Sequence, residues 1–178
     1  MTSPPNRPIK KTSEKLDDGE HLKTPSQDEL KTQKRDDQKD IASKMVNTIS
    51  QCKDGLHQYG TRALVEDTEN LGKALAGNGL KTNQIRKFLD AINQLKVQTR
   101  GRDTLSDTAR SELDLLRPKL AYAEARLRKK DDPGPVEPLR KVLEAAIKQV
   151  YEKPDFERLA QLIESIVAYH KAAGGTDQ

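Results

Sequence analysis

Apolar residues recur at every third or fourth position in one block after another from residue 41 onwards. This spacing places them along one face of an α-helix, whereas a half-buried strand needs an apolar residue at every second position, and no stretch sustains that alternation. The apolar positions of the predicted helices are, in chain order, Ile41, Met45, Ile49 and Cys52; Leu64, Thr68, Leu71 and Leu75; Ile85, Phe88, Leu89, Ile92 and Leu95; Leu113, Leu116, Leu120, Ala123 and Leu127; Val136, Leu139, Val142, Leu143, Ala146, Ile147 and Val150; Phe156, Leu159, Leu162, Ile163, Ile166, Val167 and Tyr169. The pattern predicts an all-α fold, a compact bundle of five to six helices.

Glycine and proline residues mark the predicted ends of these helices. A Gly-Asn-Gly turn at residues 77–79 follows the second helix, and Thr82 is then expected to be the N-cap of the third. Pro118 falls inside the fourth apolar stripe, where it removes a backbone donor, so a kink or a new helix start is expected near it. Prolines in residues 131–135 and at position 154 separate the last two helices from what precedes them.

Residues 1–40 lack the helical pattern. Four prolines interrupt this segment, no aromatic residue occurs in it, and its few apolar residues are Met1, Ile9, Leu16, Leu22 and Leu30. Such a composition cannot bury enough apolar surface to offset the entropy lost on ordering. We therefore predict a disordered polar tail over residues 1–40, with helical patches near its end, and one bundle domain over residues 41–178.

Composition narrows the class of protein. The chain has 178 residues and no apolar run that approaches the length of a membrane span, which takes about 18 residues or more. Its first residues have no apolar segment behind the basic ones, unlike a secretory signal. Cys52 has no second cysteine with which to form a disulfide. These features lead us to expect a cytoplasmic protein that makes no contact with a membrane.

The sequence carries no signature of a catalytic or metal site. It has no phosphate loop, no His-Glu-x-x-His and no Gly-x-Ser-x-Gly, and most carboxylates occupy positions typical of a solvated helix face. Its three histidines, His21, His57 and His170, are too scattered to bind zinc together with Cys52. His170, near the end of the last helix, is expected only to complement the helix dipole. We expect no catalytic residue, no metal and no cofactor.

Positive charge is concentrated in the middle of the chain. The whole chain has a formal net charge of +4, whereas residues 81–130 contain thirteen Lys and Arg but six Asp and Glu. Helical spacing places Lys119, Tyr122 and Arg126 on one face, where cations can pair with phosphates while the ring packs on a sugar or base. The alternative is that Tyr122 is a core-edge residue and the cations only solvate the helix.

A second basic cluster lies at the start of the third helix. Lys81, Arg86 and Lys87 are near unpaired backbone N–H groups that favour an anion. Arg86 is expected to flank the apolar stripe and Lys87 to lie opposite it, so the two need not act together. The alternative is again a solvated first turn.

Three stretches resemble the small subunit of type III-A CRISPR (Csm) complexes. They are residues 81–89 (KTNQIRKFL), residues 116–123 (LRPKLAYA) with Arg126, and residues 163–171 (IESIVAYHK) before Gly174 and Gly175. The resemblance implies a small helical bundle, present in several copies beside the backbone subunits, that holds the guide and target RNA duplex without reading its sequence. In that family the cutting of RNA and DNA belongs to neighbouring subunits.

The resemblance covers roughly residues 81–175 and adds weight to cations that lie within its blocks. With the charge pattern, it marks as RNA-binding residues Lys81, Arg86, Lys87, Arg117, Lys119, Tyr122 and Arg126. The implied partners are guide RNA, target RNA, the backbone and large subunits of the Csm complex and further copies of the chain. The alternative is a helical adaptor that binds a protein partner through an apolar groove and does not bind nucleic acid.

Overall fold

Helices account for nearly all regular structure in the computed structural model, which describes residues 27–128 and 134–177. In chain order they are α1 Gln27–Ser50, a 3₁₀ turn Leu56–Gln58, α2 Thr61–Gly77, α3 Thr82–Gln98, α4 Asp107–Asp114, α5 Leu116–Leu127, α6 Glu137–Lys148 and α7 Lys153–Ala172. No strand occurs in these two ranges. The predicted all-α class is confirmed, and within the same ranges no helix is long and apolar enough to cross a bilayer.

The apolar stripes of the helices meet in one continuous core. Helix α7 packs against α2, α3 and the 3₁₀ turn, while α1 packs against α6 and α2, and α5 against α6. Ile85, Phe88, Leu120 and Ile163, all expected in the core, are buried there. Val167 is partly buried against the same core. The period of three to four residues therefore identified the buried face of each helix.

Helix α1 begins earlier than its apolar stripe. The expected boundary between tail and bundle, at residue 40, falls inside the continuous helix Gln27–Ser50. Gln38 is buried, and its Oε1 accepts a hydrogen bond of 2.5 Å from Asn78 Nδ2. The apolar pattern starts only at Ile41, so it could not show the polar first half of this helix. Residues 1–26 of the expected tail lie outside the described residues.

A break between α4 and α5 coincides with the proline in the fourth stripe. Helix α4 starts after Ser106, whose Oγ accepts a 3.2 Å hydrogen bond from Ala109 N, and Leu115 separates its end from α5. Pro118 is the third residue of α5, in the first turn, where no intrahelical N–H donor is needed. The expected new start near Pro118 is confirmed. If α4 and α5 are counted as one kinked helix, the described bundle has six helices.

The start of α3 differs from the prediction by one residue. Lys81 is the N-cap, and its backbone N donates a 3.1 Å hydrogen bond to Gln84 Oε1. Thr82, expected to be the cap, is fully buried, and its hydroxyl lies 3.3 Å from His170 Nδ1. The N-cap prediction for Thr82 is wrong because a tertiary contact with α7 engages its hydroxyl.

Helices α2 and α7 approach closely at a glycine. A Cβ atom added at Gly72 would lie 2.8 Å from both the His170 N and the Tyr169 Cβ, closer than real side chains come. Glycine therefore allows two backbones to meet where any side chain would separate them. This contact holds His170 beneath the start of α3.

Candidate nucleic-acid interface

A groove of about 260 Å³ opens between α3, α5 and the start of α6. Its floor is apolar and its rim is charged or polar. The floor consists of Phe88, Ala91, Leu116, Ala123, Leu127, Val136 and Leu139. The rim consists of Gln84, Lys87, Lys119, Tyr122 and Arg126. We refer to these twelve residues as the α3–α5 groove.

Helical spacing explains the composition of this rim. Positions 119, 122 and 126 lie on one face of α5 because they are three and seven residues apart. On α3, Lys87 lies next to Phe88 at the edge of the groove, together with Gln84. The sequence placed Lys87 opposite the apolar stripe; in the structure Lys87 is exposed and also lines the groove, beside the stripe residue Phe88.

The rim cations have no acidic partner within the described ranges. Lys87, Lys119 and Arg126 are exposed, and no described carboxylate lies within 4 Å of their charged nitrogens. The acidic residue of α5, Glu124, is turned to the other side of the helix, where it accepts a hydrogen bond from Arg140. Unpaired cations around a low-dielectric floor produce a positive potential that attracts anions.

Tyr122 projects into solvent at the same rim. It is 69% exposed, which is high for an aromatic residue. The alternative that Tyr122 is a core-edge residue therefore fails. An exposed ring between two cations has the composition of a surface that contacts nucleic acid by stacking and by charge.

Arg117 lies on the opposite side of α5 from the groove. Its guanidinium is 3.7 Å from Glu144 and 4.0 Å from Asp114, and Glu144 also accepts a 2.5 Å hydrogen bond from Arg140. A phosphate would have to compete with these carboxylates for Arg117. The structure therefore does not bring Arg117 together with the other candidates on α5.

Lys81 and Arg86 are exposed at the start of α3 but do not line the groove. The charge of Arg86 acts on the C-terminal segment. The pKa of Asp177 is lowered mainly by a hydrogen bond from Lys171; desolvation opposes this shift, and the charges of Lys171 and Arg86 lower the pKa further. Of the seven candidate residues, four share the groove, and Lys81, Arg86 and Arg117 lie elsewhere.

The most elaborate polar contact in the described chain involves a residue that the sequence did not single out. Asp155 is fully buried and accepts hydrogen bonds from the His57 backbone N at 2.9 Å, His57 Nδ1 at 2.6 Å, Tyr151 N at 3.0 Å and Glu152 N at 2.9 Å. We call these four residues the Asp155 cluster. Burial raises the pKa of Asp155, but these hydrogen bonds outweigh it and lower the pKa below its ordinary value.

The Asp155 cluster has the residue types of a catalytic site but lacks an activated nucleophile. The nearby Cys52 is buried, and burial followed by the charge of Asp155 raises the pKa of its thiol. A protonated thiol is a poor nucleophile. The cluster instead joins the 3₁₀ turn to the first turn of α7. The sequence does contain a local indication of this capping role. Asp155 follows Pro154 at the third position of a helix, where a carboxylate can accept hydrogen bonds from backbone N–H groups.

His170 is also a structural residue. Its Nε2 is 2.8 Å from the Leu80 carbonyl and its Nδ1 is 3.3 Å from the Thr82 hydroxyl, which fits a neutral ring that donates from Nε2. Burial lowers the pKa of His170. The expected dipole role requires a positive ring, so that explanation of His170 is wrong. Among the described residues, no group of three or more His, Cys, Asp or Glu side chains could hold a metal ion.

Comparison with known proteins gives one match. A family model described as Csm2 Type III-A matches residues 58–176, two thirds of the chain. The comparisons with curated proteins and with solved structures gave no match. The match contains the α3–α5 groove and the Asp155 cluster apart from His57. It also begins well before residue 81, where the resemblance noted in the sequence starts, and it leaves α1 outside.

Proposed function

The chain belongs to the Csm2 Type III-A family and is a subunit of a type III-A Csm effector complex, and from this we propose that it holds RNA without catalysing a reaction. In this proposal the chain is a scaffold for guide RNA and target RNA in antiviral defence. It binds the sugar-phosphate backbone and does not read the base sequence. We place this activity in the cytoplasm.

The α3–α5 groove is the observation that carries the proposal. Lys87, Lys119 and Arg126 are exposed around it and have no carboxylate partner in the described ranges. Lysine and arginine side chains of this kind bind phosphate oxygens wherever these occur along a strand, so affinity does not depend on sequence. Lys81 and Arg86 are also exposed at the start of α3, outside the groove, and we include them in the proposed basic surface.

Contacts with other subunits need a different surface. The proposed protein partners are the backbone and large subunits of the complex and further copies of the chain. Val97 and Leu115 are large apolar side chains that are exposed outside the groove. Burial of such side chains against a neighbour would stabilise the assembly without using the rim cations.

Salt dependence tests the proposal directly. We expect the full-length chain to bind mixed-sequence RNA with an association constant that falls steeply between about 50 and 200 mM salt. Joint replacement of Lys87, Lys119 and Arg126 by alanine should weaken binding at least about tenfold and reduce the slope of log K against log salt by about 2 to 3. Fluorescence anisotropy measures both quantities.

A control variant removes the same charge elsewhere. Lys73, Lys96 and Lys141 are exposed, and each pairs with a glutamate at 2.5 to 2.7 Å. Their joint replacement by alanine should leave RNA affinity within about twofold, since these lysines lie outside the groove and each already has a carboxylate beside it. Equal losses in the two triple variants would reject the groove as the RNA surface. Absence of RNA binding, with salt-insensitive capture of another protein, would favour the helical adaptor.

A further inference from the structure

Phosphate contacts do not explain the floor of the α3–α5 groove. Lys119 and Arg126 can reach phosphates from an exposed helix without any cavity beside them. The groove nevertheless extends down to Phe88, Leu116 and Leu139, which are buried in the core. An apolar cavity next to cations fits a ligand that has both an apolar ring and a negative charge.

The size of the groove limits its occupant. Its volume of about 260 Å³ lies just below the range of about 300 to 1,000 Å³ typical of pockets for drug-sized ligands. A helix is about 10 to 12 Å across and needs a groove that runs along several of its turns. The cavity is therefore suited to a single planar group better than to a helix of a protein partner.

Tyr122 is placed to cover such a planar group. Its exposed ring stands at the rim, between Lys119 and Arg126 along α5. Aromatic side chains beside a cationic track hold unpaired bases by stacking, and this stacking tolerates any base. Covering a base in this way would leave its sugar and phosphates at the rim.

The spread of the cations favours a strand over a free nucleotide. Lys119 and Arg126 are seven residues apart, which is about 10 Å along the helix axis. Lys87 stands on the facing helix, across the groove. Cations spread over this distance and over two helices can contact successive phosphates of a strand, which a mononucleotide does not offer.

We propose that the α3–α5 groove receives the base of a single unpaired RNA nucleotide, with the ring against Tyr122 and the apolar floor and the flanking phosphates on Lys119 and Arg126. The inference rests on the proposed function, because it requires that the chain holds RNA. It adds selectivity for RNA structure: a strand with one unstacked base binds more tightly than a continuous duplex, whatever the base.

Three RNAs test this inference with the full-length chain at one salt concentration. The first is a continuous duplex, the second carries one bulged uridine, and the third carries an abasic residue at the bulge. We expect the bulged uridine to bind about tenfold more tightly than the abasic bulge, since stacking of one base on an aromatic ring contributes a factor of this order. A fourth RNA, with a bulged adenosine, should bind like the one with the bulged uridine.

Variants of Tyr122 locate the effect. Tyr122→Ala should remove the difference between the uridine and abasic bulges, whereas Tyr122→Phe, which keeps the ring, should retain it. Tyr151 is also exposed but lies outside the groove, so Tyr151→Ala should retain the difference. Because Tyr122 is largely in solvent, its replacement should leave the helical circular dichroism signal unchanged.

The outcomes separate this inference from the proposed function. Salt-dependent binding that is equal for all three RNAs would keep the proposed function and reject the base-binding groove. A difference that survives Tyr122→Ala would also reject it. Loss of other Csm subunits from purified Tyr122→Ala, without any change in RNA selectivity, would mark the groove as a protein-docking surface and overturn the inference. Absence of any RNA binding would overturn both.

Discussion

The α3–α5 groove and the Asp155 cluster differ in whether their charged side chains have partners. In the cluster, the buried carboxylate of Asp155 has four hydrogen-bond donors, three of them backbone N–H groups. At the groove, Lys87, Lys119 and Arg126 are exposed and have no carboxylate partner in the described ranges. A charged residue is thus a candidate for ligand binding where the fold leaves it unpaired, and a structural residue where the fold satisfies it.

This contrast separates two kinds of variant. Changes in the Asp155 cluster and at the α2–α7 contact around Gly72 should lower the free energy of unfolding and leave RNA affinity intact. Changes at the groove rim should lower RNA affinity and leave the free energy of unfolding intact. A cluster variant that loses RNA affinity, or a groove variant that loses stability, would contradict the assignment of the two regions.

The largest effect on stability is expected from Asp155→Ala. The change leaves the backbone N–H groups of His57, Tyr151 and Glu152 without their acceptor, so the free energy of unfolding should fall by about 3 kcal/mol. Urea denaturation measures the loss. The exposed Asp103, changed to alanine, is the control and should cost less than about 0.5 kcal/mol. A fall in RNA affinity of the folded Asp155→Ala protein would contradict the separation.

A smaller loss is expected where α2 meets α7. Gly72→Ala places a methyl group 2.8 Å from the His170 N and the Tyr169 Cβ, so the helices must move apart, at a cost of about 1 to 3 kcal/mol. Gly77 lies at the end of the same helix, and a Cβ there meets no atom within 4 Å. Gly77→Ala should therefore leave the thermal midpoint unchanged or raise it. Equal effects of the two changes would show that the close contact does not matter for stability.

His170 makes stability depend on pH in a defined direction. Burial holds its pKa in the folded state below the ordinary value of 6.5, so between these two pKa values the unfolded chain binds a proton that the folded chain does not. The free energy of unfolding should therefore fall as pH drops below about 6.5, by at most about 1.4 kcal/mol per pH unit. His170→Gln should reduce this slope in urea titrations between pH 7.5 and 5. An unchanged slope would assign the pH effect to another group.

Sequence patterns predicted the features that depend on neighbours along the chain. The buried faces of the helices, the turn at residues 77–79 and the new helix start near Pro118 all follow from local spacing and from the properties of glycine and proline. The row Lys119, Tyr122 and Arg126 was predictable for the same reason, because it lies on one face of α5.

The remaining features depend on contacts between distant parts of the chain. His57 and Asp155 are 98 residues apart, and Thr82 and His170 are 88 apart, so no local pattern could pair them. The position of Lys87 across from α5 likewise results from helix packing. The ion pair of Arg117 could not be predicted either, since its partner Glu144 belongs to another helix.

Arg117 and Lys119 allow the same comparison between two cations on one helix. The difference in RNA affinity between their alanine variants is the smallest effect expected. Lys119 stands at the groove rim, whereas Arg117 is engaged by Glu144 and Asp114. Lys119→Ala should weaken RNA binding about fivefold, the equivalent of about 1 kcal/mol for one charged contact, while Arg117→Ala should change it less than twofold. Anisotropy titrations at one salt concentration resolve this difference. The two changes remove the same charge two residues apart, so general electrostatic attraction predicts equal losses. A larger loss for Arg117→Ala would mean that RNA displaces Glu144. The RNA-binding surface would then lie on the side of α5 that faces α6.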